Sequence, residues 1–291
     1  MYPNSIPCSY ILSLYHDILL GNMDFTQAII LGMVQGITEF LPISSSGHLI
    51  FARDILGIEI TGALAFDAVL QLATTVAVIL YFWKDLNLVM QTALRKLGHL
   101  PVNQKDLILL YALMIGTVPA VIAGLFLESL MDTLFRSSLL VAGVMILGSG
   151  LFIYAEWVYY NTVPKNIMTV KKGFQIGLFQ TLALIPGMSR SGSSIAGGML
   201  LGLSRIEAAR FSFLLAIPIM FGAGSKKLLE LIQSDVEVQW IAVIVGSATA
   251  FITGIIAIHF LLTFIRHHTL WPFIWYRLVL ALLVIYIIWL S

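Results

Sequence analysis

The sequence predicts an all-α polytopic integral membrane protein, and three observations carry that prediction. Of its 291 residues 59% are hydrophobic and 11% charged, against about 45–50% and 25% in soluble domains, and the mean hydropathy is +0.96. Long apolar runs recur near 60–82, 107–127, 138–158, 208–225, 240–265 and 271–290, each near the roughly 20 residues that a helix needs to cross about 30 Å of hydrocarbon. Two other apolar stretches, Ala28 to Pro42 and Gly173 to Pro186, are too short to cross and run into SSSG at 44–47 and SRSG at 189–192. Short helices broken by Pro and Gly are tolerated at membrane depth only where protein or water satisfies their backbone. The expected architecture is therefore an inverted-repeat bundle, a single membrane domain over 1–291, with about six spanning helices and two re-entrant hairpins that point inward at a site.

Composition also excludes classes. Sixteen Lys and Arg against fifteen Asp and Glu leave a formal net charge of +1, which offers no field for a nucleic-acid partner. The single cysteine, Cys8, excludes an intramolecular disulfide, a thiolate zinc cluster and a cysteine-ligated iron-sulfur centre. No GxxxxGK[ST] occurs, which disfavours nucleotide hydrolysis. The first twenty residues lack Lys and Arg, so the positive n-region of a cleavable signal is missing. The stretch Tyr10 to Gly21 reads as an interfacial or short membrane helix, and the path of 1–25 is left open.

The two short stretches are related by a constant offset of 145 positions: Gln35 pairs with Gln180, Ser44 with Ser189, Ser46 with Ser191, Gly47 with Gly192, Gly57 with Gly202 and Phe66 with Phe211. Coincidence in a glycine-rich apolar chain explains single identities but not helices that match in kind and order. Pseudo-repeats of about 26–160 and 171–291 follow, each a hairpin and three spans. Three is odd, so the halves are inverted. Placing Lys84, Arg95, Lys96, Lys105, Lys165, Lys171, Lys172 and Arg266 in cytoplasmic loops satisfies the positive-inside rule. Lys226 and Lys227 fall outside, in a loop shared with Glu230, Asp235 and Glu237.

The first tip reads QGITEFLPISSSGH, residues 35–48. Gln35 and Glu39, four apart, share a helix face. A carboxylate at membrane depth costs several kcal/mol unless paired, hydrated or cation-bound, so Glu39 points to a metal, a basic partner or proton traffic. His48 is a candidate base, proton shuttle or phosphoryl contact, against a merely packed ring. The second tip, PGMSRSGSS at 186–194, joins Arg190 to four hydroxyls and two glycines whose backbone can converge N–H groups on an anion. Close helix packing explains the glycines, and a pairing with Glu39 would occupy the arginine. Together the tips supply the parts of phosphoryl transfer: a metal ligand, serine nucleophiles, a histidine and an arginine clamp. Asp67 and Gln71 either line the cavity or bond within the bundle, and Arg210 is expected near it. Trp157, Trp240, Trp271 and Trp289 suit interfacial anchors; His267 and His268 read as a polar turn. With no large soluble domain, an amphiphile with a phosphate head group is the expected substrate. A lipid transporter or flippase is the different-class alternative, since inverted repeats with broken helices are also a transporter architecture.

These motifs resemble the bacterial undecaprenyl-diphosphate phosphatase family, also called bacitracin-resistance proteins. The resemblance covers essentially the whole chain: both tips match its two motifs, and EAARFSFLLAIP and WPFIWYR match flanking segments. It implies hydrolysis of undecaprenyl diphosphate to the monophosphate and inorganic phosphate, recycling the lipid carrier for peptidoglycan and conferring bacitracin resistance. It further implies a divalent cation, Mg2+ or Ca2+, and a multi-pass protein of the bacterial cytoplasmic membrane whose site opens to the periplasmic or extracellular side. The family's acidic pair falls on Gln35 and Glu39, so glutamine leaves the metal site one formal ligand short. Its catalytic serine falls on Ser45, its histidine on His48, its serine-arginine pair on Ser189 and Arg190, and a common threonine on Ser194. The expected site is Glu39, Ser45, His48, Ser189 and Arg190 for chemistry, with Gln35, Ser44, Ser46, Gly187, Ser191, Gly192, Ser194 and Arg210 around the substrate and Glu39 with Gln35 on the cation. Ser45 as nucleophile with His48 as base, His48 as nucleophile, and direct attack by water all stay open. The expected partner is a polyprenyl diphosphate lipid; a homodimer is compatible with such a bundle.

Overall fold

A computed structural model describes residues 24–58, 63–134, 137–233 and 239–290. The expected helix at Tyr10 to Gly21, Cys8, Asp235 and Glu237 lie outside the described residues. The described elements are helical, in the order α1 (Phe25–Phe40), α2 (Ser45–Leu56), α3 (Ala63–Tyr81), α4 (Trp83–Leu97), α5 (Gln104–Leu134), α6 (Ser138–Asn161), α7 (Val170–Thr181), α8 (Arg190–Leu200), α9 (Arg205–Gln233), α10 (Trp240–His267) and α11 (Trp271–Leu290). A short 3-10 turn, Leu182–Leu184, follows α7.

Five helices, α5, α6, α9, α10 and α11, are long and apolar enough to cross a membrane, and α3 with α4 makes a sixth candidate bent by 78°. The protein is thus an all-α, multi-pass membrane protein. Its outer surface is apolar to a degree that water would not tolerate over so large an area, with Phe126 81% and Leu147 74% exposed. Trp157, Trp240, Trp271 and Trp289 are all exposed near helix ends.

Two expectations need correction. Lys84, Arg95 and Lys96 are not loop residues: they lie on α4, an amphipathic helix whose Leu86 and Val89 pack on the main core while Trp83 and Leu94 stay exposed. It is too charged to look like a span, and its apolar face appears only at helical periodicity. Likewise Lys226, Lys227 and Glu230 belong to the end of α9, with Lys227 Nζ 3.0 Å from Glu230, because i,i+3 pairing suits a helix better than a loop.

The short helices are held by small residues. In lipid there is little hydrophobic drive between helices, so association depends on close backbone approach. α1 lies on α10, where a Cβ at Gly36 would sit 2.5 Å from the Ala250 carbonyl. α7 lies on α5, where a Cβ at Gly173 would sit 2.5 Å from the Ala112 carbonyl. A large core around Phe40, Phe152, Phe213, Ile195 and Ile258 fills the space between these layers. Phe40, the last residue of α1, meets Phe213 of α9 edge-on at 5.5 Å, which anchors the end of α1 on α9.

Candidate active site

Both tips are built alike. α1 ends before Pro42, whose missing N–H and ring stop the helix. α2 restarts at Ser45 behind Ser44, which sits at φ 78 and accepts the Gly47 N–H at 3.4 Å. In the second tip Ser189 sits at φ 74 and accepts the Gly192 N–H at 3.2 Å. Left-handed backbone at a non-glycine residue is uncommon and costs of order 1–3 kcal/mol; it persists here at both N-caps, where it turns the chain sharply into a new helix. Side-chain oxygens also match, Ser44 to Ser46 and Ser189 to Ser191 each at 3.3 Å. Ser191 then donates to the Leu41 carbonyl at 3.1 Å, tying one tip to the other.

Glu39 is the hub. It is 4% exposed, and its Oε2 accepts from Gln35 Nε2 at 2.9 Å and from Ser45 Oγ at 2.5 Å. Its Oε1 accepts from Arg190 Nη2 at 2.7 Å and, at 3.5 Å, from Gln71 Nε2 of α3. Four elements, α1, α2, α3 and α8, therefore converge on one carboxylate, and its desolvation is offset by a partly buried arginine and three neutral donors. The guanidinium is only partly used. Nε and Nη1 of Arg190, one on each edge beside Nη2, are buried without a hydrogen-bond partner, so each edge keeps a donor for an anion. A buried unmade hydrogen bond costs about 1–3 kcal/mol.

Of the residues named from sequence, Gln35, Glu39, Ser45 and Arg190 thus form one cluster. The partner of Ser45 is Glu39, not His48. His48 instead places Nδ1 2.7 Å from the Ser44 carbonyl and Nε2 2.8 Å from the Tyr276 hydroxyl. Ser44 and Ser189 are helix caps, and Ser46 is exposed. Gly187, at φ 97, leaves no room for a side chain, since a Cβ would lie 2.5 Å from the Val141 carbonyl. Gly192 spends its N–H on Ser189 and packs beneath the Phe152 ring, so it serves capping and packing. Ser194 Oγ is buried without a partner. Arg210 is engaged by Asp85 of α4 rather than by the groups on Glu39, because α4 brings an acid to it that a loop would not. Asp67 pairs with Arg53 at 2.6 Å, while its neighbour Gln71 reaches the hub.

Tyr276 and Arg277, the last two residues of WPFIWYR, had no role assigned from sequence. Arg277 of α11 is fully buried and its hydrogen-bond partners are neutral. Nη2 donates to the Gly187 and Met145 carbonyls at 3.0 and 2.9 Å, Nη1 to the Met188 carbonyl at 3.3 Å, and Nε to Ser149 at 3.2 Å. It holds the residues just before Ser189 and so supports the second tip from beneath. A lone arginine inside an apolar helix was the available signal. Tyr276, next to it, meets His48.

A divalent ion of the magnesium or calcium class takes six or more oxygen ligands. Among the described residues no group of three or more His, Cys, Asp or Glu side chains is gathered. The donor set at the tips is the Glu39 carboxylate, the Ser45 hydroxyl and, with its nitrogen given to Glu39, the Gln35 carbonyl. That set suits an ion carried largely by phosphate oxygens and water, the usual habit of magnesium, and not a closed protein cage.

Comparison with known proteins places the chain in a family. Residues 28–283 match the family model described as bacitracin resistance protein BacA. A protein named undecaprenyl-diphosphatase from Trichlorobacter lovleyi is 42% identical over 260 residues, covering 88% of this chain and 94% of that one. Proteins of the same name from Marinobacter nauticus and Micrococcus luteus are 39% and 38% identical, over 89% of this chain in each case and 97% and 95% of their own lengths. The match runs from the helix that carries Glu39 through both tips to the helix that carries Arg277, and the chain belongs to the bacitracin resistance protein BacA family.

Proposed function

We infer that this chain is an undecaprenyl-diphosphate phosphatase: it hydrolyses undecaprenyl diphosphate to undecaprenyl phosphate and inorganic phosphate. That reaction recycles the lipid carrier for peptidoglycan synthesis and underlies bacitracin resistance. The observation that carries the reading at the level of this molecule is Arg190, anchored on Glu39 through Nη2 while its buried Nε and Nη1 stand unpaired. Oxygens of a diphosphate head group, reaching either edge of the guanidinium, satisfy those donors and supply the negative charge that Arg190 favours.

The residues divide the work as follows. Ser45 is the nucleophile: its Oγ–H proton passes to Glu39 along the existing 2.5 Å contact, Oγ bonds to the terminal phosphorus, and the bond from phosphorus to the bridging oxygen breaks, releasing the lipid monophosphate. Water then cleaves the phosphoserine to inorganic phosphate, and the proton held on Glu39 returns to Ser45. Arg190 neutralises the equatorial oxygens, Ser194 offers its unpartnered hydroxyl, and His48 orients or deprotonates the water. Glu39 and the Gln35 carbonyl would hold a Mg2+ or Ca2+ ion, which would supply charge neutralisation on the diphosphate oxygens.

The architecture reads as an inverted repeat with two re-entrant hairpins. Its support is that α1 and α7 start 145 positions apart, as do α2 and α8, and that Ser44 and Ser189 share one unusual conformation. These four helices have 16, 12, 12 and 11 residues, and at about 1.5 Å per residue none crosses a bilayer core. The site lies in the bacterial cytoplasmic membrane and opens to the outer side.

The test is release of inorganic phosphate from undecaprenyl diphosphate by the purified protein in detergent, with magnesium, with calcium and with chelator, beside Glu39→Ala and Arg190→Ala. Cation-dependent release lost in both variants is expected, and no release from folded protein would return the lipid transporter as the better reading. Rapid quench followed by peptide mapping is expected to find phosphate on Ser45. Phosphohistidine at position 48, or no phosphoenzyme, would reassign the nucleophile.

A further inference from the structure

His48 joins the first tip to a helix that the Glu39 cluster does not use. Its Nδ1 lies 2.7 Å from the Ser44 carbonyl. A carbonyl only accepts, so Nδ1 carries the ring proton and Nε2 presents its lone pair. That lone pair is taken: the Tyr276 hydroxyl donates to it at 2.8 Å. The rings also stack, with centroids 5.5 Å and planes 8° apart. On α11 the next residue, Arg277, holds the carbonyls of Gly187 and Met188. Two consecutive residues of one helix therefore grip both tips, one through an imidazole and the other through backbone.

The two grips differ in a way that matters. Arg277 is fully buried, whereas Tyr276 is 45% exposed, so the tyrosine side chain can rotate outward without opening the core. A histidine takes a proton, or attacks phosphorus, only through an unprotonated nitrogen. In this site the nitrogen that could do so lies under the tyrosine hydroxyl.

We propose that Tyr276 is a positioning residue that latches His48: its hydroxyl covers Nε2 in the resting site, and the terminal phosphate of the substrate displaces it before His48 takes part. The inference rests on the reading that His48 serves the phosphatase reaction. The latch keeps the ring in the Nδ1–H tautomer and correctly aimed while shielding its reactive nitrogen. Part of the binding energy of the head group is spent in opening it.

Chemical modification tests this independently of turnover. Diethyl pyrocarbonate acylates an imidazole nitrogen that has a free lone pair, and mass spectrometry of the intact detergent-solubilised protein, digested afterwards, assigns the rate to each histidine. Tyr276→Phe removes the hydroxyl and retains the stacked ring. His48 is expected to react about fivefold faster in Tyr276→Phe than in the wild type, the size of one ordinary hydrogen bond, while His267 at the end of α10 reacts equally in both. KM for undecaprenyl diphosphate is expected to fall in the same variant, since no hydroxyl has to be displaced. Equal His48 rates in the two proteins would overturn the latch, and so would a fall in kcat as deep as that of His48→Gln, which would make Tyr276 part of the proton path. Full activity in His48→Gln, with the modification contrast intact, would instead locate the failure in the catalytic reading of His48.

Discussion

Replacing Arg190 by lysine separates the two jobs that the guanidinium performs. The ammonium group of lysine can still pair with Glu39, whose Oε1 now lies 2.7 Å from Nη2, so the buried carboxylate keeps its counter-charge. What lysine cannot do is offer the two further donors, Nε and Nη1, which are buried and unpaired. If those donors hold phosphate oxygens, two charge-assisted hydrogen bonds are lost at about 1.5–3 kcal/mol each. The sum, about 3–6 kcal/mol, corresponds to a fall in kcat/KM of about 10² to 10⁴, at roughly 1.4 kcal/mol per factor of ten. Stability should change far less, because the ion pair survives. Arg190→Ala lacks that control: it strands Glu39 without its cation and should cost about 3–5 kcal/mol of stability. Phosphate release against substrate concentration measures the first effect, and thermal unfolding in the same detergent measures the second. Lysine activity within about tenfold of the wild type, in protein of unchanged stability, would refute the assignment of those donors to the substrate.

Glu39→Gln removes the acceptor of the Ser45 proton while keeping its shape, so phosphate release should fall by about 10² to 10⁴ with protein still purified as a folded species. Arg277→Met leaves the carbonyls of Gly187, Met188 and Met145 without their donor; unfolding should become easier by about 2–4 kcal/mol, read by thermal denaturation, and activity should fall with it as the second tip loosens. Gly173→Val drives a side chain into the Ala112 backbone, where even a Cβ would lie 2.5 Å from a carbonyl; a loss of about 1–3 kcal/mol is expected, seen as a lower unfolding midpoint. Ser189→Ala removes the cap of α8 and should cost about 0.5–2 kcal/mol, with activity reduced through the position of Arg190.

The apolar runs placed the long helices because a membrane demands about 20 uninterrupted apolar residues and helical backbone satisfaction, a constraint that acts locally along the chain. The same local logic marked both tips, since Pro42, the serines and the glycines interrupt runs that would otherwise continue. The pairing of Glu39 with Arg190 was foreseeable as chemistry, one buried acid and one buried base, even though they lie 151 positions apart. Other features depend on what crosses a given helix face in space. α4 escaped because a charged amphipathic helix has no run to betray it, and with it went the true partner of Arg210. His48 and Ser45, three residues apart, looked like a base and its nucleophile. The tertiary structure turned them to different partners, Tyr276 and Glu39. Arg277 lay in plain view inside an apolar helix, and its role appeared only when folding laid the carbonyls of the second tip against it. Sequence alone determined which polar groups enter the membrane, because each is costly there and must have a use. Tertiary structure decided which of them meet, because hydrogen bonds are short and directional and α11 is joined to the tips only through space.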